Sequence, residues 1–204
     1  MPTPGQQKIL PAEYYTSHLL VSQADQRVLI DLVDELLPRL SAHVQDLGVD
    51  LPAVTFAWFL SLYTDCLPVE VSLYPFSCLC SNAEAEILQT LFRVWDLLFV
   101  EGSIVLFRVA LAILMINEDR LLAADSAGGF YGVVHSMTSH LFAVDRLVLL
   151  AGGAAEGGAS CGLKDKISVE KVERSRKKHV EMLAKELGLE STAGDSAVDG
   201  VEAS

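Results

Sequence analysis

The chain has 204 residues, room for one domain of ordinary size with tails but hardly for two. At 51% hydrophobic and 21% charged residues it is too apolar to be disordered as a whole. Its 15 Lys and Arg stand against 27 Asp and Glu, a formal net charge of -12, which argues against a protein that grips phosphate backbones and so against a nucleic-acid partner.

Residues 1–21 hold three of the seven prolines and read as an extended lead-in. The opening MPTPGQQKILPAEYY has no basic region followed by a continuous apolar block, so no secretory signal is expected in it. At Ser22 the run S-Q-A-D is a weak capping box and marks a helix start. Val28, Leu29, Leu32, Val33, Leu36, Leu37, Leu40, Val44 and Leu47 then recur every three or four residues. They form one face of an amphipathic helix ending near Gly48, which Pro38 should kink or divide at Leu36–Leu37. Asp31, Asp34 and Glu35 fall on its outward side and read as a solvated face rather than a catalytic carboxylate pair.

Pro52 opens a second helix, apolar almost all the way round until Pro68, which is expected at the centre of the fold. Thr90 to Val100 is a third, stopped by Glu101-Gly102. Ser103 is expected to cap a fourth, SIVLFRVALAILMINE, whose only interior charge is Arg108. A buried arginine needs a carboxylate such as Asp96 or Glu101. Residues 91–116 are the most apolar stretch, but Arg93, Asp96, Glu101 and Arg108 interrupt it. The charge-free piece from Val109 to Ile116 is far short of the roughly 20 residues that cross a bilayer, so no transmembrane segment is expected. The high mean hydropathy of +0.36 instead points to helices buried on more than one face. Short helices are expected around 119–124 and 126–141. No segment keeps a strand's alternation beyond four residues, so the class is all-α.

After Leu150 the character changes. Residues 149–163 form a Gly-rich linker, with five of the 14 glycines inside AGGAAEGGASCG. Residues 164–188 form a charged helix in which apolar residues are sparse; eight basic residues face five acidic ones between Lys164 and Leu187. It reads as a solvated helix, with docking to a partner or a membrane surface as the alternative. Residues 189–204 read as a disordered acidic tail.

Cys66, Cys78, Cys80 and Cys161 have neither CxxC nor framework spacing and fit reduced cytosolic thiols. His18, His43, His135, His140 and His179 make no HxxxH or HExxH pair, so no metal site is expected. No GxSxG, P-loop or GxGxxG occurs, and spacing alone names no catalytic or cofactor-binding residue and no cofactor.

Four apolar-aromatic blocks do stand out in order: LPRLxxH at 37–43, WFLxLYTDCLP at 58–68, RVWDxLFVEG at 93–102 and VLFRVALAIL at 105–114. Together they resemble the C-terminal half of a TBC domain, the helical catalytic module of GTPase-activating proteins for Rab small GTPases, in wording most like its fungal members. The resemblance covers about residues 9–148, and a partial TBC domain is expected over 22–148. It implies a GTP-bound Rab partner, a role in vesicle traffic, and a cytoplasmic protein that reaches endomembranes peripherally through that partner.

Such proteins are understood to supply an arginine from IxxDxxR, which offsets charge building on the phosphates, and a glutamine from YxQ, which orients the attacking water. Both motifs belong to the half that precedes the matched blocks. Neither occurs in these 204 residues: Arg27 lies in A-D-Q-R, Arg120 and Arg146 directly follow acids, and no glutamine has a tyrosine two before it. The resemblance therefore implies a GTPase activator by family that is inactive as written, with a non-catalytic helical interaction or adaptor module as the alternative. Trp58 and Trp95 are expected as core anchors, and Arg93 and Asp96 as a pair across one helical turn. Residues 71–89 separate blocks that the family runs together. This insertion is expected to be a retained intron, beginning at a GT-initial Val71 codon, or else a genuine surface loop.

Overall fold

The computed structural model describes residues 9–11, 14–16, 18–64, 82–139, 144–152 and 162–188. Ten helices lie among them: α1 Leu20–Leu36, α2 Pro38–Asp46, α3 Leu51–Leu60, α4 Asn82–Glu101 and α5 Ile104–Ile116, then α6 Glu118–Leu122, α7 Ala127–Ser139, α8 Val144–Gly152, α9 Leu163–Lys166 and α10 Val169–Glu186. No strand occurs among the described residues, and the all-α class holds.

Pro38 divides the first apolar run as expected. It takes the first position of α2, where its missing N–H costs nothing, while Leu37 leaves helical geometry with φ -131°. The start of that run differs. α1 begins two residues before Ser22, which is buried inside the first turn and donates its hydroxyl to the Tyr14 carbonyl at 2.6 Å. A carbonyl from the preceding segment has drawn away the group that would have capped a helix. Tyr14 itself is buried in the core, with Ile9 and Leu10 packed against it, so these described residues of the lead-in pack onto the domain.

The central helix is α5, not α3. Every residue from Ile104 to Leu114 is buried, with α3, α4, α6, α8 and α9 packed around it. α3 ends at Leu60 and contacts α1 and α5; Ala53 and Ala57 are exposed and Val54, Phe56 and Leu60 half-buried. An all-apolar helix reports how much surface needs cover, and here that cover surrounds α5. Gly102, at φ +79°, turns the chain between α4 and α5 in a conformation that glycine adopts without steric cost.

The described part of the expected insertion, residues 82–89, forms the first turns of α4; 71–81 lies outside the described residues. The linker expected at 149–163 is shortened at both ends, because α8 runs to Gly152, with Leu147 and Ala151 buried on one face, and α9 begins at Leu163. The charged segment docks rather than standing in solvent. α10 lies antiparallel along α1, with Val172, His179 and Leu183 buried.

Candidate functional site

The α1–α10 seam is held by charge. Asp25 of α1 is fully buried and receives the Arg176 guanidinium: Nε lies 2.5 Å from Oδ1 and Nη2 3.2 Å from Oδ2. The same Nη2 donates to Ser103 Oγ at 3.3 Å, and the guanidinium carbon sits 5.8 Å from the centroid of the Phe107 ring. Arg176 thus ties α10 to α1 and to the start of α5, and Ser103 spends its side chain on it instead of capping α5. Burial raises the Asp25 pKa, and the hydrogen bond and charge of Arg176 oppose that rise. Burial likewise pushes Tyr14 up, with the Asp25 charge adding to the effect.

Further along the seam, Asp31 Oδ2 accepts from Ser175 Oγ at 3.1 Å and lies 2.7 Å from His179 Nε2. Lys171 pairs with Glu35, and Arg27 forks onto Glu186 at 2.7 and 3.1 Å. That fork raises Arg27 and lowers Glu186. Four of the six ion pairs among the described residues therefore join α1 to α10. Asp31, Asp34 and Glu35 are all exposed, in keeping with a solvated face; beyond that reading, Asp31 and Glu35 also bond to α10, and Asp34 accepts a hydrogen bond from Ser41. The Ser175, His179 and Asp31 side chains do not form a nucleophile–base relay, because the serine hydroxyl bonds the carboxylate and not the imidazole.

A second node closes the α4–α5 turn. Glu101 accepts from Arg108 Nη1 at 2.6 Å and from Lys164 Nζ at 2.9 Å, so of the two carboxylates expected for Arg108 the structure selects Glu101. Partial burial pushes the Glu101 pKa up, but the hydrogen bonds from Lys164 and Arg108 outweigh it and the pKa ends below the usual range. Arg93 and Asp96 are both exposed and do not pair with each other. Trp58 is buried as expected. Trp95 is half-buried and donates its indole N–H to the Leu62 carbonyl at 3.1 Å.

His43 sits 2.9 Å from the Ala124 carbonyl, and no group of three or more His, Cys, Asp or Glu could hold a metal among the described residues. His140 and all four cysteines lie outside those residues. No described helix is long and apolar enough to cross a membrane. The Asp25–Arg176–Ser103 node escaped sequence reasoning, since nothing local links residues 151 apart.

A family model described as the Rab-GTPase-TBC domain matches residues 7–122. A TBC domain-containing protein of Schizosaccharomyces pombe is 37% identical over 142 residues, 70% of this chain and 16% of its own length. TBC1 domain family member 2A of Homo sapiens is 38% identical over 143 residues, covering 70% of this chain and 13% of that protein. Small G protein signaling modulator 3 of Bos taurus is 30% identical over 194 residues, 93% of this chain and 22% of that one. A span of 93% takes in α10 whichever end it starts from. The chain thus spans less than a quarter of the length of these curated relatives. Among solved structures, the Chlamydomonas flagellar RabGAP TBC domain superposes with a TM-score of 0.55 at 30% identity, covering 71% of this chain and 41% of that one. With the family model matched over more than half of its length and a helical fold shared with a solved member, the chain belongs to the Rab-GTPase-TBC domain family.

Proposed function

We propose that this chain forms the C-terminal part of a Rab GTPase-activating domain: a helical body that contacts a GTP-bound Rab and, by itself, does not accelerate hydrolysis. One observation carries the reading. The chain matches the TBC family yet accounts for 41% of a solved RabGAP TBC domain, and the arginine and glutamine motifs are absent from its 204 residues. A finger arginine is worth roughly 10³–10⁵ in rate, so a body without one contributes binding alone. The setting is vesicle traffic, with peripheral attachment to endomembranes through the Rab. Residues 71–89 are proposed as retained-intron sequence within the domain, which a transcript read through their codons tests directly.

The absent motifs also favour a second reading, a non-catalytic module that binds a GTPase or another protein. Single-turnover GTP hydrolysis by a panel of purified Rabs separates these readings. The chain alone is expected to leave every intrinsic rate unchanged. In the first reading, joining it to the remainder of a TBC domain restores acceleration of at least one Rab. In the second, the joined protein binds without accelerating. Acceleration by the chain alone refutes both.

A further inference from the structure

α4 is apolar on two faces. Leu91, Val94 and Leu98 are buried against the core, where α4 packs on α5 and α8. On another side Phe92, Trp95 and Phe99 form a second stripe at three- and four-residue spacing. The Phe92 and Trp95 rings meet edge to face at 6.2 Å. Phe92 is 51% exposed, Phe99 60%, and the adjoining Val100 71%. A helix at the surface of a finished soluble domain carries polar residues on its outer side, and neighbouring exposed aromatics mark a contact surface.

We infer that this aromatic stripe is the seam against the remaining helices of a TBC domain, an inference that rests on the reading of the chain as part of such a domain. The choice of occupant follows from coverage. The chain supplies 41% of a solved TBC domain, so most of that domain's helices lie outside it and need an apolar surface to pack on. The stripe offers rings without a flanking run of charge. Arg93 and Asp96 beside it are of opposite sign and make no ion pair with a described residue, which suits them to the polar rim of a helix–helix contact.

The test is a chimera in which this chain replaces the matched portion of the Chlamydomonas TBC domain. Phe99→Cys is introduced into both the 204-residue chain and the chimera, and maleimide labelling is followed against each Phe99 parent. The introduced thiol is expected to react freely in the chain and at least tenfold more slowly in the chimera. Equal rates overturn the seam, as does a chimera that shows no cooperative melt. As a second measure, F92S/F99S should lower the melting temperature of the chimera while leaving that of the chain unchanged; no effect on the chimera overturns the inference. A dimer of the chain that dissolves on F99S assigns the stripe to a second copy and also overturns it. Protection of the introduced thiol in a chimera that accelerates no Rab upholds the seam and defeats the GAP reading. Acceleration with that thiol still reactive does the reverse.

Discussion

Replacing Arg176 with methionine keeps much of the stem's bulk and removes the charge that answers Asp25. Asp25 is fully buried and takes two hydrogen bonds from the guanidinium, so the variant leaves a carboxylate in the core without its counter-ion. Breaking a buried pair by removing one partner costs about 3–5 kcal/mol. The Arg176 side chain keeps 12% exposure, which lets water soften the loss and places the cost near the lower end. The contact with the Phe107 ring adds roughly 0.5–1 kcal/mol. Urea unfolding followed by circular dichroism at pH 7.5 should thus show R176M weaker by about 3–4 kcal/mol.

The pH dependence has a fixed sign. The folded-state pKa of Asp25 is raised, and it rises further once Arg176 no longer opposes burial. A raised acid contributes stability that is present below its unfolded pKa and lost as pH climbs through the folded value. The R176M deficit should therefore shrink between pH 7.5 and pH 5 as Asp25 takes up a proton. Replacing both partners, in D25L/R176M, should recover most of the loss, because a well-packed apolar pair of similar volume is often neutral. A deficit under about 1 kcal/mol at pH 7.5, or one of equal size at both pH values, refutes this account.

Two further substitutions probe the α4–α5 turn. G102A creates no clash, since a β-carbon at that position would make an ordinary van der Waals contact with the Ile9 carbonyl oxygen at 4.0 Å; the left-handed φ alone should cost about 1–2 kcal/mol, read as a lower urea midpoint with unchanged slope. K164A removes one of the two cations that hold Glu101 below its usual pKa, a depression whose stability is present above the unfolded pKa and lost as pH falls. The acid limb of its stability curve should be flatter than that of the parent, and a curve of parental steepness shows that Lys164 does not contribute.

What could be read in advance was local. Pro38 announces its own break, and Glu101 with Arg108 stand seven residues apart on either side of a glycine turn. What could not be read depended on which helix faces which. In α10 the few apolar residues, Val172 and Leu183 among them, predict a buried edge but not its partner. Nothing along the chain pairs the carboxylates of α1 until Lys171 and Arg176, 136 and 151 residues further on, are laid against Glu35 and Asp25. The centre of the fold was misplaced for a similar reason, since α3 and α5 are equally apolar by composition and differ in how many neighbours surround them. The resemblance was legible as family wording, not as site geometry, because neither an IxxDxxR nor a YxQ string occurs in these 204 residues.

The docking of α10 also decides how a partner-binding role for it can be tested. Deleting residues 164–188 would uncover Asp25, strip three further ion pairs from α1 and bare the side of α1 on which α10 packs. Lost binding after such a deletion would report a collapsed domain and say nothing about contact. Arg174, Lys177 and Lys178 make no ion pair with a described residue and lie on the outer side of α10, so they offer its charge without its structural duty. Changing all three to serine should leave stability within about 0.5 kcal/mol per site. If α10 is the binding element of an adaptor, the triple variant loses its partner while its melting temperature holds. If the chain contacts a Rab as part of a GTPase-activating domain, Rab binding survives. A large fall in melting temperature would instead mean that these cations support the fold through contacts other than ion pairs, contrary to the seam described above.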